Sequence, residues 1–264
     1  MIIPYFGLKK MPFPKEIKTD HLLDTYDIRE AFTRLSYIRQ HRGIMLLTGE
    51  PGSGKTSILR KFVDSLNSQT HMHAYSPLAT LSRSELYRQL NALLRLPSKM
   101  RKSELFEQIQ KAILDYYDNQ GKTPCIILDE CHMMDHQTLQ ELILITNFQM
   151  DSKVPFILVL IGQPELREML KRRLHEPLNQ RITLRYHMAG LTSEEIPPFI
   201  LHGMKLAGRS DPLFDEKAFE TIHQLSHGLP RKIGSLCVGA MTVAMAKKMK
   251  TVDADCVVQA SAGI

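Results

Sequence analysis

The segment Gly49-Glu50-Pro51-Gly52-Ser53-Gly54-Lys55-Thr56 has the spacing G-x-x-x-x-G-K-[ST]. Its glycines let the backbone curl so that successive N–H groups face one point, which suits a phosphate. A helix starting near Lys55 adds the positive end of its dipole. Lys55 is then placed to reach the β- and γ-phosphates of a nucleotide, and Thr56 to hold Mg²⁺. The candidate nucleotide-contacting set is Gly49, Glu50, Pro51, Gly52, Ser53, Gly54, Lys55, Thr56 and Ser57. The alternative is a chance Gly-rich turn. The apolar run before it and the helical spacing after it favour the phosphate loop.

A second group carries carboxylates. Cys125-Ile126-Ile127-Leu128 is an apolar run ending in Asp129-Glu130, seventy-three residues beyond Thr56. Carboxylates at the C-terminal end of such a strand emerge beside a phosphate loop in a parallel sheet. Asp129 is expected to bind Mg²⁺ through water, and Glu130 to orient and deprotonate the attacking water. Gln163 follows another apolar run and is placed to touch the γ-phosphate or the water; capping the helix that Pro164 opens is its alternative role. Arg181 is a candidate arginine finger reaching a neighbouring subunit's ATP, because a guanidinium spans phosphate oxygens well. A surface ion pair is its alternative, and Arg172 and Arg173 compete for the role. Arg231, after Gly228-Leu229-Pro230, stands at a helix start from which it can close onto the phosphates.

These residues require an alternating α/β scaffold. Strand readings cover Ile44 to Thr48, His71 to Ser76, Cys125 to Leu128, Pro155 to Ile161 and Arg181 to His187. Helical spacing covers Leu22 to Gln40, Ser57 to Leu66, Ser82 to Leu96, Ser103 to Asn119 and His136 to Met150, with another helix opened by Pro164. Strands alternating with helices indicate a parallel sheet. After Gly190 only helical patterns remain, from Glu194 to Ala207, Asp215 to Ser226, Pro230 to Lys248 and Asp253 to Ala260. The expected organisation is an α/β domain over residues 1–190, with an extended N-terminal arm, and a small all-helical domain over 191–264.

The 264 residues are 43% hydrophobic and 23% charged, which excludes a disordered chain. Lys and Arg exceed Asp and Glu by 34 to 28, a mild excess that permits a phosphate-bearing partner without demanding one. No apolar run approaches the ~18 residues needed to cross a bilayer, and no secretory signal is visible, so a cytoplasmic protein without membrane attachment is expected. The four cysteines form no C-x-x-C pair, so reduced thiols are expected. His132 and His136 have a metal-ligand spacing, but they lack further nearby ligands in the sequence and read as solvent-exposed helix residues.

Taken together, the motifs resemble the AAA+ ATPases, in the branch that holds the transposition regulators TnsC, TniB, IstB and MuB with the ExeA/GspA-like ATPases. The resemblance runs through Tyr5-Phe6-Gly7-Leu8 with Pro12-Phe13, the segment from Leu47 to Thr56, Ile127-Leu128-Asp129-Glu130, Asn147-Phe148, Ile161-Gly162-Gln163-Pro164-Glu165-Leu166-Arg167, Gln180-Arg181-Ile182 and Gly228-Leu229-Pro230-Arg231-Lys232-Ile233. It implies a P-loop AAA+ domain with a helical lid, ATP and Mg²⁺ as ligands, Gln163 as sensor 1, Arg181 as the finger and Arg231 as sensor 2. Secretion proteins of the branch carry a membrane span and a wall-binding domain, and the end at Ile264 points to the transposon-associated group. Members of that group assemble as rings or helical filaments on duplex DNA with ATP and direct a transposase. Arg95, Lys99, Arg101 and Lys102 are the candidate DNA contacts, with the backbone and without base reading; a solvated basic loop is the alternative. Cys131-His132 departs from the family pattern and imitates the D-E-x-H of helicases, but too few residues follow Gly190 for a second motor domain. An interaction module switched by ATP without turnover stays open.

Overall fold

The computed structural model describes residues 1–14, 16–77 and 82–263. It divides into two compact units: one holds Glu30–Gly49 and Leu59–His187, the other Met1–Arg29, Glu50–Ile58 and Met188–Ile264.

The first unit is built on a five-stranded sheet in the order β2-β3-β4-β1-β5. The strands are β1 (Gly43–Gly49), β2 (His71–Ser76), β3 (Thr123–Leu128), β4 (Ile157–Gly162) and β5 (Ile182–Met188). The ladders β2–β3, β3–β4 and β4–β1 are parallel. Every residue of β1 and β4 is buried. That is why both read as unbroken apolar runs: helices cover both faces of a parallel sheet. β2 and β5, at the edges, mix buried and exposed positions. The register pairs Thr48 with Gly162 and Leu128 with Leu160, so β1, β3 and β4 end along one edge. That edge carries Asp129, Glu130 and Gln163.

Helices α4 (Arg83–Leu93), α5 (Lys102–Asp118), α6 (His136–Ile145), α7 (Pro164–Lys171) and α8 (Glu176–Arg181) complete this unit, with part of α2 (Tyr26–His41) and α3 (Lys55–Asp64). Its core joins Ile44, Leu46, Ile126, Leu128, Leu158 and Leu160 of the sheet to Leu86, Leu90, Ile109, Ile113, Leu139 and Leu142 of the helices.

Two expectations need correction here. The helix expected to reach Met150 stops at Ile145. Thr146 turns its hydroxyl back onto the Leu142 carbonyl at 2.6 Å, and Gln149, Met150 and Asp151 take left-handed backbone. Phe148 still satisfies the apolar pattern because the turn buries it against Phe156, with ring centroids 5.6 Å apart. Arg181 does not begin β5; it ends α8, a six-residue helix too short to show a period.

The second unit is helical: α9 (Ile196–Leu206), α10 (Glu216–Ser226), α11 (Pro230–Ala246) and α12 (Ala254–Ser261). The N-terminal arm packs with this unit, not with the α/β unit as the domain reading expected. It is not wholly extended either, since Ile2–Tyr5 form α1. Phe6 and Leu8 enter the helical core beside Ile200, Met204 and Met241. Lys9 N–H donates to the Ala207 carbonyl at 2.8 Å, and Arg209 donates to the Phe6 carbonyl at 2.8 Å. Each fully buried arm side chain contributes roughly 1.5–3 kcal/mol, enough to tie down a terminus.

Candidate nucleotide-binding and hydrolysis site

In the helical unit, Glu50 to Gly54 form the loop and Lys55 opens α3. Gly52 takes φ +86 and Gly54 φ +104, a region closed to most side chains. Ser53 N–H donates to the Glu50 carbonyl, while Ser57 and Ile58 N–H donate to the Gly54 carbonyl. Among the described residues, the N–H groups of Gly52, Gly54 and Thr56 donate no hydrogen bond. Ser53 is buried, and among the described residues its hydroxyl has no partner. Lys55 is 9% exposed, and its ammonium donates to the Glu50 carbonyl at 2.9 Å. Idle amides, an orphaned buried hydroxyl and the Lys55 ammonium form a cradle that fits an oligophosphate. The Thr56 side chain is exposed, and among the described residues its hydroxyl makes no hydrogen bond.

Arg231 is brought to this loop within the same unit. His227 ends α10 in left-handed conformation, and Gly228 follows at φ +73. A Cβ on Gly228 would lie 2.2 Å from the Leu191 carbonyl oxygen, so only glycine permits that approach. Pro230 then starts α11, and Arg231 N–H donates to the Gly52 carbonyl at 3.3 Å. Its guanidinium is exposed, with no carboxylate bonded to it among the described residues.

In the α/β unit, Asp129 and Glu130 leave the end of β3. Asp129 is 6% exposed. Its Oδ2 accepts from the Tyr75 hydroxyl at 2.9 Å, and its Oδ1 accepts from Glu130 N–H at 2.8 Å. Burial, followed by that bond to Asp129, raises the Tyr75 phenol well above its ordinary value, so Tyr75 stays a donor. Glu130 sits at φ +55. A left-handed glutamate costs of order 1–3 kcal/mol, and such strain collects where a side chain must be aimed. Its carboxylate is half exposed and lies 3.4 Å from Nδ1 of His132.

Gln163 occupies the N-cap of α7 without a side-chain capping bond, so its amide is not committed to the helix. Arg181 ion-pairs with Asp151. Arg172 donates to His136 at 2.9 Å, and Arg173 is exposed. Lys102 is held by Glu141 at 2.5 Å, whereas Arg95, Lys99 and Arg101 are exposed.

Tyr75, the Asp151 partner of Arg181 and the Glu141 partner of Lys102 had no signal in the sequence. Each is defined by a contact made across the fold. His132 was visible but misread. It lies in a 3-10 turn, Cys131–Met133, ahead of α6, with a side chain 10% exposed rather than open to solvent. Among the described residues, no group of three metal-ligating side chains occurs. The Cys125 and Cys131 thiols are buried, which pushes both up to about 12 and leaves them inert as ligands or nucleophiles near neutral pH.

A family model described as "AAA domain" matches residues 38–170, half of the chain. The chain belongs to the AAA domain family. It is an ATPase. General secretion pathway protein A of Aeromonas hydrophila is 33% identical over 250 residues. That match takes in 94% of this chain and 45% of the relative, so the chain spans about half of that protein's length. Among solved structures, Cdc6p from Pyrobaculum aerophilum superposes with a TM-score of 0.62 at 15% identity, over 95% of this AAA chain and 68% of that one. The ORC2 protein of Aeropyrum pernix, determined as ADPNP–ADP complexes, gives 0.62 at 16%, over 98% and 71%. The RuvB Holliday junction branch migration motor of Thermotoga maritima gives 0.58 at 20%, over 95% and 72%. At these identities the three structures establish the AAA fold. No helix among the described residues is long and apolar enough to cross a membrane.

Proposed function

We propose that this AAA domain is the ATP-hydrolysing module of a protein of the general secretion pathway A type, working as an assembly of its own copies. The identity to that protein over 94% of the chain carries this reading, because it extends beyond the phosphate loop into the lid helices. The loop amides and Lys55 hold the β- and γ-phosphates. Thr56 and Asp129 would hold Mg²⁺. When bound there, Mg²⁺ would neutralise phosphate charge. Glu130 takes the proton of the attacking water, and Gln163 orients that water. Arg231 reads the phosphates from the lid. Arg181, released from Asp151, reaches the nucleotide of the next subunit. An ATP substrate and four unpaired cysteines suit the cytoplasm.

ATP binding and turnover measured on two variants test the assignment. Lys55→Ala abolishes binding; Glu130→Gln binds ATP and does not hydrolyse it. Equal ATP affinity for wild type and Lys55→Ala would refute it.

A second reading is an ATP-dependent regulator of transposition that coats duplex DNA and recruits a transposase. One observation favours it: Lys99 and Arg101 are exposed and paired with no carboxylate among the described residues. The end at Ile264 does not bear on the choice, since the chain spans only 45% of that relative's length. Filter binding with a non-hydrolysable ATP analogue separates the readings. Retained DNA, with a salt slope flattened in Lys99→Ala/Arg101→Ala, supports the second. No retention leaves the first.

A further inference from the structure

The Cys131-His132 pair has no role in the chemistry described so far, yet its placement is specific. The turn Cys131–Met133 follows Glu130 directly and packs where β4 ends: a Cβ on Gly162 would lie 3.2 Å from the His132 backbone nitrogen. Cys131 is buried and its thiol donates to the Leu128 carbonyl at 3.1 Å, which pins the start of the turn to β3. The His132 ring is nine-tenths buried, so its orientation is fixed by its neighbours.

Two groups face one atom of that ring. Gln163 N–H donates to Nδ1 over 3.4 Å. Glu130 Oε2 lies 3.4 Å from the same Nδ1. A neutral imidazole carries either a lone pair or a proton on that nitrogen. With the lone pair there, it accepts from Gln163 and repels the carboxylate. With the proton there, it donates to Glu130 and releases the Gln163 backbone N–H. No other side chain is bonded to the Glu130 carboxylate among the described residues.

We propose that His132 is a positioning residue that couples the place of Glu130 to that of Gln163 by exchanging its tautomer. It rests on the ATPase reading only for the roles of those two residues. A shift of Gln163 at the end of β4 then changes which partner holds Nδ1, and so whether the carboxylate is anchored. The path is short: one ring, between the residue after β3 and the residue after β4.

The imidazole nitrogens of His132, observed by ¹⁵N NMR in nucleotide-free protein, give the direct test. Glu130→Gln replaces an acceptor with a side chain that can donate, so the Nδ1 signal moves towards its unprotonated position. Identical ¹⁵N shifts in wild type and Glu130→Gln overturn the proposal. In turnover assays, His132→Ala lowers kcat about tenfold with KM for ATP within about twofold, and His132→Asn, which keeps a donor and an acceptor, recovers most of kcat. Because the coupling is shared, His132→Ala and Gln163→Ala combine non-additively. Unchanged kcat in His132→Ala, or strict additivity, also overturns it. If His132→Ala does not fold, the NMR comparison and His132→Asn decide. Absent turnover in wild type defeats the ATPase reading alone, since the nucleotide-free NMR result stands independently.

Discussion

Lys102→Ala should weaken the fold, although the residue lies in a surface-looking basic link. Its ammonium is 2.5 Å from Oε1 of Glu141, whose side chain is only 8% exposed. At an effective dielectric near 20, that separation gives a gross attraction of about 7 kcal/mol. Most of it does not survive as net stability. The lysine is 41% exposed and solvent-screened, and its own desolvation disappears with it. The Tyr87 hydroxyl continues to donate to Glu141 at 2.7 Å. The expected loss is about 2 kcal/mol, between the ~0–1 of an exposed pair and the ~3–5 of a buried one. Lys99→Ala and Arg101→Ala, on the same link, should each stay within about 0.5 kcal/mol of wild type. Urea denaturation at neutral pH measures all three. Adding Glu141→Gln to Lys102→Ala should recover more than half of the loss, because the stranded charge is removed. If Lys102→Ala is as stable as Lys99→Ala, the ion pair contributes nothing and the reasoning fails. The result bears on function as well: a loss of DNA affinity in a variant lacking Lys102 would mix unfolding with lost phosphate contacts.

Gly52→Ala puts a Cβ 2.7 Å from Arg231 Cβ at φ +86, whereas Gly121→Ala meets open space at φ +64. Denaturation should show about 1 kcal/mol for Gly121→Ala and at least twice that for Gly52→Ala, together with weakened ATP binding. Mixing Arg181→Ala with Glu130→Gln subunits should restore part of the ATPase activity, since one intact interface forms between them; no recovery at any ratio excludes Arg181 as the trans-acting group. His175 is buried at the end of a chain in which Arg172 donates to His136 and His136 bonds His175 at 2.7 Å. Burial foremost, then His136 and Arg172, hold it below its ordinary 6.5. The folded state therefore binds fewer protons than the unfolded one below that pH, and stability falls on acidification through about 6.5; thermal melts from pH 5 to 8 should show a shallower slope in His175→Phe. The four buried cysteines should resist iodoacetamide in the native protein and react only on unfolding.

The sequence alone determined the phosphate loop, the two carboxylates after β3, the parallel α/β class and the helical character beyond Gly190. These are local properties: a glycine spacing, a buried strand's unbroken apolar run, a 3.6-residue period. It placed β2 at His71 to Ser76 and Pro164 at a helix start for the same reason. What it could not determine were partners. Glu141 is an ordinary helix glutamate until α5 delivers Lys102 and α4 delivers Tyr87. Arg181 could be read as a finger or as half of a surface ion pair, and its partner was unknown until the turn after α6 brought Asp151 to it. His132 is exposed by pattern and buried in fact, because the chain leaves β3 through a left-handed Glu130 and a single 3-10 turn that no periodicity records. The arm's membership in the helical unit depended on where Phe6 and Leu8 found a core. Contacts between residues thirty or more positions apart arise from strand order and helix packing, so the tertiary structure alone decided which charges are paired, while the packing of one short turn against the end of β4 decided that His132 stands buried beside Glu130.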